Sequence, residues 1–484
     1  MNFSRKLLNF MLLLVILASK SGINAGNPQS QITLSIDSLP GFRQVYIHTV
    51  SDVQFYYISG ENVTGDIIIE AQYPIKVSLH CYDDFVSNLT LNAEGQLFER
   101  IYVRAFPEST GNFNPVISHS TGGNITELPT WIVATENQIP EYYYNTATTS
   151  GSRLKTQLHH IIKDHTVQNY TSLWNHFTFT DATFAGKVWD IYSDIPCEEP
   201  PYLFTFSDDQ DTGTGGGSEG EVYNREHSMP RSWFGGSVDP MNTDLYHIFP
   251  VDKYVNAQRA NFPFGMVENP YWTSMNGGKL GSNSAGSTYS GTAFEPIDAY
   301  KGDLARTFFY MITRYEDLIE NWTYTEEGNN MFDHNKYPGY QPWVIDMLLG
   351  WHHNDPVSQR ERIRNDMVYQ IQGNRNPFVD KPDFVEMIWG DTTLQTGIME
   401  NIRKLQIYPN PAASHFRFTS DEIILQMEIF TLDGKPIMRQ EKMGQTGTIN
   451  VSHLPPGMFI IRYRTSTYTG SQLIQIQSHY TGNR

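Results

Sequence analysis

The sequence predicts a multidomain protein with an N-terminal all-β sandwich, a central α+β domain rich in helices, and a small C-terminal β-sandwich. The chain has 484 residues, which exceeds one typical domain. Short segments of alternating apolar and polar residues occupy its first and last parts, as in β-strands. Apolar residues at helical spacing are common only in the middle part.

Residues 1–25 are predicted to be a signal peptide. Arg5 and Lys6 precede an apolar run at 7–18, and small and polar residues follow to Ala25. The run is too short to span a bilayer comfortably, and no other segment comes close, so the mature chain should have no transmembrane span. Changes in sequence texture then place the sandwich at 26–140, the central domain at 141–400 and the C-terminal domain at 401–484.

The N-terminal region contains candidate strands separated by turn residues, at 32–36, 66–71, 76–79, 89–91 and 99–104. None of its residues has catalytic spacing, so a structural or spacer role is favoured over binding of carbohydrate or a surface. The two cysteines, Cys81 and Cys197, lie far apart in different predicted domains. We therefore expect no disulfide framework, and two cysteines cannot form a Cys-based metal site.

The net charge of −18 argues against a protein that only coats nucleic acid, because phosphate neutralisation drives such binding. It does not exclude a metal-dependent nuclease, since a bound cation neutralises charge locally.

The chemistry concentrates at residues 223–234, where Glu226 and His227 are adjacent and Arg225 and Arg231 lie close by. A neutral imidazole serves as a general base near pH 7, and a carboxylate is a ligand for a divalent cation. Adjacent side chains on a strand point to opposite faces, so both serve one site only where the strand ends or bends. Pro230 permits that.

A second cluster begins at Asp244 and continues to Asn261. We predict a short helix with Pro250 in its first turn, on which Lys253, Asn256 and Arg259 (or Ala260) share one face. The Asn256 amide oxygen could bind the metal ion, and Lys253 and Arg259 could contact phosphate or support the carboxylates.

Other features of the central domain have structural interpretations. The glycine-rich segment 207–221 is predicted to be a loop, 303–315 a core helix, and 359–373 a helix capped by Ser358 and Glu361. Asp303 is expected to cap its helix and Glu295 to pair with an arginine. Arg375 could reach phosphate, whereas the flanking asparagines are expected to hold a turn.

In combination, these residues resemble the endonuclease I family of secreted nucleases, which is of the His-metal finger (ββα-metal) type. The matching stretches are Asn224–His227, Pro230 with Ser232–Phe234, Thr243–His247, Val255 and Asn256 with Arg259 and Asn261, Lys301–Arg306, and Gln372–Phe378. The resemblance implies that His227 is the general base and that Glu226 and Asn256 hold Mg²⁺, with Mn²⁺ or Ca²⁺ left open. A cysteine-stapled insertion, whose arginine binds the scissile phosphate in some members, is not evident here. Arg231 or Arg259 would then take that role, and either Tyr246 or His247 faces the site.

The flanking parts carry resemblances of their own. Residues 58–67 with 100–107 resemble an immunoglobulin-like module of secreted Bacteroidetes proteins. The C-terminal segments YPNP (408–411) and LPPGMFIIR (454–462) resemble the sorting domain of the Bacteroidetes type IX secretion system.

Together the resemblances imply an endonuclease that is exported through the outer membrane by that machinery and is secreted or held at the cell surface. It would hydrolyse DNA, RNA or both without strict sequence specificity and leave 5′-phosphates. The alternative is a surface adhesin or binding protein with a catalytically silent nuclease-like scaffold. The presence of Glu226, His227 and Asn256 favours the enzyme.

Overall fold

A computed structural model describes residues 31–390 and 405–476, apart from 138, 142, 285–287, 323–324, 409–411, 413, 432–434 and 466–468. The described part begins with a β-rich region. Its strands are β1 (Gln31–Leu34), β2 (Arg43–Tyr46), β3 (Gln54–Thr64), β4 (Ile67–Ala71), β5 (Ile75–Ser78), β6 (Asn88–Leu91), β7 (Glu94–Ala105), β8 (Gly111–Phe113), β9 (Val116–Thr121), β10 (Asn124–Pro129) and β11 (Ile132–Thr135).

These strands form three sheets around one apolar core. Two have four strands each, in the orders β1-β3-β7-β5 and β10-β9-β4-β6, and the third has the order β2-β11-β8. Alternate residues of β4 are buried, as expected for a strand with one face on a core. Ile58, Ile69 and Ile101 are among the core residues. The predicted strands in this region are confirmed within a few residues.

The central part contains nine α-helices among its described residues and five short strands. The helices are α1 (Gly151–Ile162), α2 (Leu173–Thr180), α3 (Lys253–Arg259), α4 (Lys301–Arg314), α5 (Glu326–Met331), α6 (Pro342–Asn354), α7 (Gln359–Gln372), α8 (Pro377–Asp380) and α9 (Asp383–Trp389). The strands are β12 (Tyr223–His227), β13 (Ile248–Asp252), β14 (Pro270–Thr273), β15 (Lys279–Ser282) and β16 (Thr292–Glu295). Strands β12 and β13 form a two-stranded sheet, and β14-β15-β16 form a second sheet.

Helix α4 is the centre of this part, because all of its 14 residues are buried. Helices α1, α6 and α8 pack against it. Helix α7 has the predicted capping box: Ser358 accepts from the Glu361 backbone, and the Glu361 carboxylate accepts from the Ser358 backbone. The glycine-rich segment 207–221 contains no helix or strand, as predicted.

The β-rich region and the central part belong to one compact unit, which ends at Asp391. The Tyr46 hydroxyl donates to the Asp366 carboxylate, and Arg360 pairs with Asp52 at 3.4 Å. Phe42 packs edge-on against Phe184, with ring centroids 5.6 Å apart.

A disulfide joins Cys81 to Cys197, so the expectation of unpaired cysteines was wrong. The two residues are 116 positions apart in sequence, but their Cα atoms are only 5.9 Å apart. They do lie in different parts of the chain. Packing of the β-rich region against the central part brings them together, and sequence spacing does not reveal such packing.

The C-terminal unit is a five-stranded sheet. Its strands are β17 (Gln406–Tyr408), β18 (His415–Thr431), β19 (Pro436–Asn450), β20 (Gly457–Arg464) and β21 (Thr469–Ile476), in the order β17-β18-β20-β21 with β19 also paired to β18. Phe416, Ile461 and Ile474 are in its own apolar core.

Two sequence predictions concern residues outside the described part: the signal peptide at 1–25 and the domain boundary near 400. Within the part that is described, no helix has the length and apolar character needed to cross a membrane.

Candidate active site

The candidate site is built on two antiparallel strands followed directly by a helix. Strand β12 pairs with β13, placing Glu226 opposite Phe249 and His227 opposite Ile248. Helix α3 begins immediately after β13, and the Asp252 side chain caps it by accepting a hydrogen bond from the Val255 amide.

Pro250 does not start this helix, which corrects the prediction. It lies within β13, opposite Arg225. Each strand of a two-stranded sheet has an unpaired edge, so the missing N–H of a proline is tolerated there.

Glu226 is the second-last residue of β12, and its buried carboxylate contacts two side chains. Its Oε1 accepts a hydrogen bond of 2.8 Å from the Tyr192 hydroxyl and lies 3.3 Å from Arg259 Nη1. Burial raises the pKa of Glu226 above its ordinary value, and the Arg259 charge and the Tyr192 hydrogen bond oppose that increase. These two residues therefore favour the ionised carboxylate.

Arg259 lies in the interior behind Glu226 and is 1% exposed. Its Nη2 donates to the Ser228 carbonyl at 2.7 Å, and its Nη1 donates to the His227 carbonyl at 3.2 Å. The guanidinium also lies over the Phe264 ring, 4.6 Å from its centroid. Arg259 thus stabilises the end of β12 through these two hydrogen bonds and also contacts the Glu226 carboxylate.

Asn256 is half-buried on α3 and contacts the strand through Asn224. Its Nδ2 donates to Asn224 Oδ1 at 2.8 Å. Asn224 and Glu226 are two residues apart on β12, so their side chains share one face of the strand. The helix therefore brings Asn256 to the face that carries Glu226.

His227 is the last residue of β12 and keeps 7% of its surface exposed. Its Nε2 lies 3.1 Å from the Asn242 carbonyl oxygen. A carbonyl oxygen only accepts, so Nε2 carries the proton, and in the neutral ring the lone pair is on Nδ1. Burial, and secondarily the nearby His247, lower the pKa of His227 well below its ordinary value, so the ring is neutral at pH 7.

His247, rather than Tyr246, contacts this imidazole. Its ring meets the His227 ring edge-on, with centroids 5.4 Å apart, and its Nε2 donates to the Met241 carbonyl at 2.6 Å. The buried Nδ1 of His247 has no hydrogen-bond partner among the described residues. Tyr246 instead packs in the core, with its hydroxyl 2.7 Å from Asn365 Oδ1.

Tyr170 brings both neighbouring arginines beside His227. Its ring stacks on the imidazole with centroids 6.0 Å apart, and the Arg225 and Arg231 guanidinium carbons lie 3.8 and 5.9 Å from the Tyr170 centroid. Arg225 is half-buried, with a second ring, Trp174, at 4.3 Å. Arg231 is exposed and donates to Ser237 Oγ at 3.1 Å.

Tyr170 and Tyr192 could not be predicted as site residues, because each lies more than thirty residues from Glu226 in a segment without a recognisable motif. Asn224 could have been identified, since a residue two positions before Glu226 on a strand shares its face.

The remaining charged residues that the sequence singled out form ion pairs elsewhere. Glu295 pairs with Lys301 at 2.6 Å and Lys279 at 3.4 Å, so the expected arginine partner was wrong. Contrary to the prediction, Asp303 does not cap α4, because the helix begins two residues earlier; Asp303 lies in the first turn and pairs with Arg306 at 3.4 Å. Arg375 is buried between Asp366 and Asp380, at 2.6 and 2.7 Å, so it is not placed to reach phosphate.

The Glu226 carboxylate and the Asn256 amide oxygen are donors of the kind that would hold a magnesium ion. One carboxylate and one amide oxygen are ligands that Mg²⁺ prefers, and Mg²⁺ keeps several of its waters. No group of three or more His, Cys, Asp or Glu side chains suited to a metal ion occurs in the described ranges. A structural zinc site with four protein ligands has no counterpart there.

Comparison with known proteins identifies the central part. The profile described as Endonuclease I matches residues 150–383. An extracellular ribonuclease of Bacillus amyloliquefaciens is 34% identical over 280 residues, covering 56% of this chain and 86% of that protein. The chain belongs to the endonuclease I family. It is therefore a nuclease.

Two further relatives cover less of this chain. An extracellular ribonuclease of Bacillus subtilis is 35% identical over 257 residues, covering 51% of this chain and 78% of that protein. An endonuclease-1 of Buchnera aphidicola is 26% identical over 171 residues, covering 32% of this chain and 60% of that protein.

A second profile, a secretion system C-terminal sorting domain, matches residues 406–477. The chain is therefore a secreted or cell-surface nuclease with a type IX sorting tail. The endonuclease I match includes Cys197 but not Cys81. The disulfide thus links the nuclease part to the β-rich region that precedes it.

Proposed function

We propose that the protein is a metal-dependent endonuclease that hydrolyses phosphodiester bonds of DNA, RNA or both without strict sequence specificity. The orientation of His227 carries this proposal. Its Nε2 proton donates to the Asn242 carbonyl, which leaves the Nδ1 lone pair for a water molecule, and the ring is neutral at pH 7. The β12-β13-α3 arrangement supports a ββα-metal site.

Glu226 and Asn256 would hold the metal ion, as their position on one face supports. Mg²⁺, or Mn²⁺ or Ca²⁺ in its place, supplies positive charge that offsets the negative charge developing on the phosphate and on the leaving oxygen. Tyr192 and Arg259 favour the ionised form of the buried Glu226 carboxylate and hold its orientation. Arg259 is therefore a positioning residue in this proposal.

Hydrolysis then proceeds by attack of water on phosphorus. His227 Nδ1 takes a proton from that water, the new P–O bond forms, the bond from phosphorus to O3′ breaks, and the leaving O3′ oxygen takes a proton from solvent. The products carry a 5′-phosphate and a 3′-hydroxyl. Arg231, exposed beside Tyr170 and 5.9 Å from its ring centroid, would contact the scissile phosphate.

The decisive experiment is cleavage of supercoiled plasmid and of RNA by the purified full chain, with Mg²⁺ and with EDTA. Cleavage that EDTA abolishes is expected. His227→Ala should retain substrate binding while cleavage decreases at least ~10²-fold, which is the usual contribution of a general base. His160→Ala changes an exposed histidine on α1 and is the matched control.

Cleavage that is unaffected by EDTA would contradict the metal requirement, and an unchanged rate for His227→Ala would remove His227 from its role. Absence of cleavage on either substrate would favour a catalytically silent binding protein. The two relatives named extracellular ribonucleases favour RNA as the better substrate. Initial rates on matched DNA and RNA test that preference.

A further inference from the structure

Two arginines beside His227 lack a carboxylate partner in the described part of the chain. Neither Arg225 nor Arg231 forms an ion pair there. By contrast, several buried arginines do pair with a carboxylate. Among those, Arg306, Arg364 and Arg375 each lie within 2.7 Å of a carboxylate oxygen.

The difference matters because the chain has 52 acidic residues against 34 Lys and Arg. Carboxylates are abundant, yet within the described ranges none lies at ion-pair distance from either cation, and Asp211 acts on Arg225 only from farther away. An anionic substrate is the partner that such an arrangement fits.

Arg225 is held in a fixed orientation. Its guanidinium carbon lies 3.8 Å from the Tyr170 ring centroid and 4.3 Å from that of Trp174, and its Nη1 donates to the Tyr170 carbonyl at 2.8 Å. A guanidinium has five N–H donors in a planar fork, so one hydrogen bond leaves most of them for a ligand. A planar guanidinium held in one orientation can donate two parallel hydrogen bonds to phosphate oxygens.

The position of Arg225 relative to His227 indicates which phosphate it would bind. The two residues are two positions apart on β12 and share one strand face, and Tyr170 contacts both. Two residues of a strand span about 6.6 Å. A group bound by Arg225 therefore lies beside, and not at, the phosphate attacked through His227.

We propose that Arg225, fixed between Tyr170 and Trp174, binds the phosphate adjacent to the scissile one, so that efficient cleavage requires a charged neighbouring phosphate. This inference rests on the proposed function. The two arginines then have different roles. Arg231 contacts the scissile phosphate, and Arg225 binds the adjacent phosphate of the same nucleic-acid strand.

A scan with neutral linkages tests the proposal. The substrates are hexanucleotides of the sugar type that the enzyme cleaves faster, each with one phosphodiester replaced by a methylphosphonate. Product masses give the relative kcat/KM at every remaining linkage. In the wild type, we expect the neutral linkage to slow cleavage about tenfold or more at the adjacent linkage on one side, because a charge-assisted hydrogen bond is lost.

Three variants separate recognition from structural damage. Arg225→Gln should cleave beside a neutral linkage and away from it at rates within about twofold of each other, since the contact is already absent. Arg231→Gln should reduce cleavage at all linkages and keep the positional effect. Arg153→Gln removes an exposed charge on α1 and should match the wild type.

Each outcome decides the matter. Equal wild-type rates beside and away from the neutral linkage overturn the inference, as does a positional effect that persists in Arg225→Gln. No metal-dependent cleavage of the unmodified hexanucleotide overturns the proposed function itself, and the inference with it.

Discussion

The Tyr192 hydroxyl donates a hydrogen bond of 2.8 Å to the Glu226 carboxylate, and both side chains are buried. Groups that hydrogen-bond to a metal ligand fix its orientation and its charge. In the proposed metal site, this contact would set the charge and the orientation of Glu226.

Tyr192→Phe should weaken metal binding without removing a ligand. The lost hydrogen bond favours the protonated carboxyl of Glu226, so the Mg²⁺ concentration for half-maximal cleavage should rise about tenfold, and excess Mg²⁺ should restore most of the rate. A Mg²⁺ titration of cleavage measures both effects. Tyr271→Phe removes an exposed hydroxyl and should not shift the titration. An identical Mg²⁺ dependence in Tyr192→Phe would remove this role.

Arg259→Gln should damage both stability and activity. The variant leaves the Glu226 carboxylate buried without its cation, and it breaks the hydrogen bonds to the His227 and Ser228 carbonyls. Loss of one partner of a buried ion pair typically costs about 3–5 kcal/mol of unfolding free energy.

Urea unfolding and Mg²⁺-saturated cleavage test Arg259→Gln. Unlike Tyr192→Phe, it should not recover with excess Mg²⁺. A variant that is as stable as the wild type and loses only affinity for substrate would instead indicate that Arg259 contacts phosphate.

Replacement of Cys81 and Cys197 by serine should lower the unfolding free energy by about 2–5 kcal/mol, the usual effect of removing a disulfide from a folded domain. The bond closes a loop with a sequence separation of 116, which strongly restricts the unfolded chain. Urea unfolding of the wild type, with and without reductant, provides the comparison. The double variant should be insensitive to reductant. Identical midpoints for the reduced and oxidised wild type would contradict the prediction.

His119 should make the β-rich region less stable in mild acid. Its Nε2 lies 2.5 Å from the Tyr56 hydroxyl and its Nδ1 lies 3.1 Å from the Thr126 carbonyl, which suits a neutral ring with its proton on Nδ1. Burial lowers the pKa of His119 from its ordinary 6.5 to about 4.

The unfolded chain therefore binds a proton that the folded chain excludes between these two values. The contribution of neutral His119 to stability is complete above pH 6.5 and is lost as the pH falls towards 4, by at most about 3 kcal/mol. Urea unfolding at pH 7.5, 5.5 and 4.5 measures it. His119→Gln should have a flatter profile than the wild type, whereas His80→Gln, exposed in the same region, should not. Parallel profiles for the wild type and His119→Gln would contradict the assignment.

Local patterns predicted the elements of the fold well. Alternation gave the positions of most N-terminal strands, and the Ser358 capping box predicted the start of α7 because its hydrogen bonds lie within four residues. Pro250 misled the prediction of α3, because a proline is compatible both with a first helical turn and with a strand edge.

Contacts between distant segments could not be predicted from spacing. Tyr170 stacks on His227 and Tyr192 bonds Glu226, although both lie on loops outside any recognisable motif. The burial of Arg259 could not be predicted either, because the spacing of residues on a helix face does not show which elements pack against that face. The same limit explains the unexpected pairing of Cys81 with Cys197.

The contact of Tyr46 with Asp366 bears on where an autonomous nuclease begins. Asp366 also pairs with the buried Arg375, which Asp380 holds from the other side, so the β-rich region completes a charge network rooted in the nuclease part. A fragment starting near residue 141 would lose this contact, the disulfide to Cys81 and the packing of Phe42 on Phe184. We therefore expect a fragment without the β-rich region to be less stable than the intact unit.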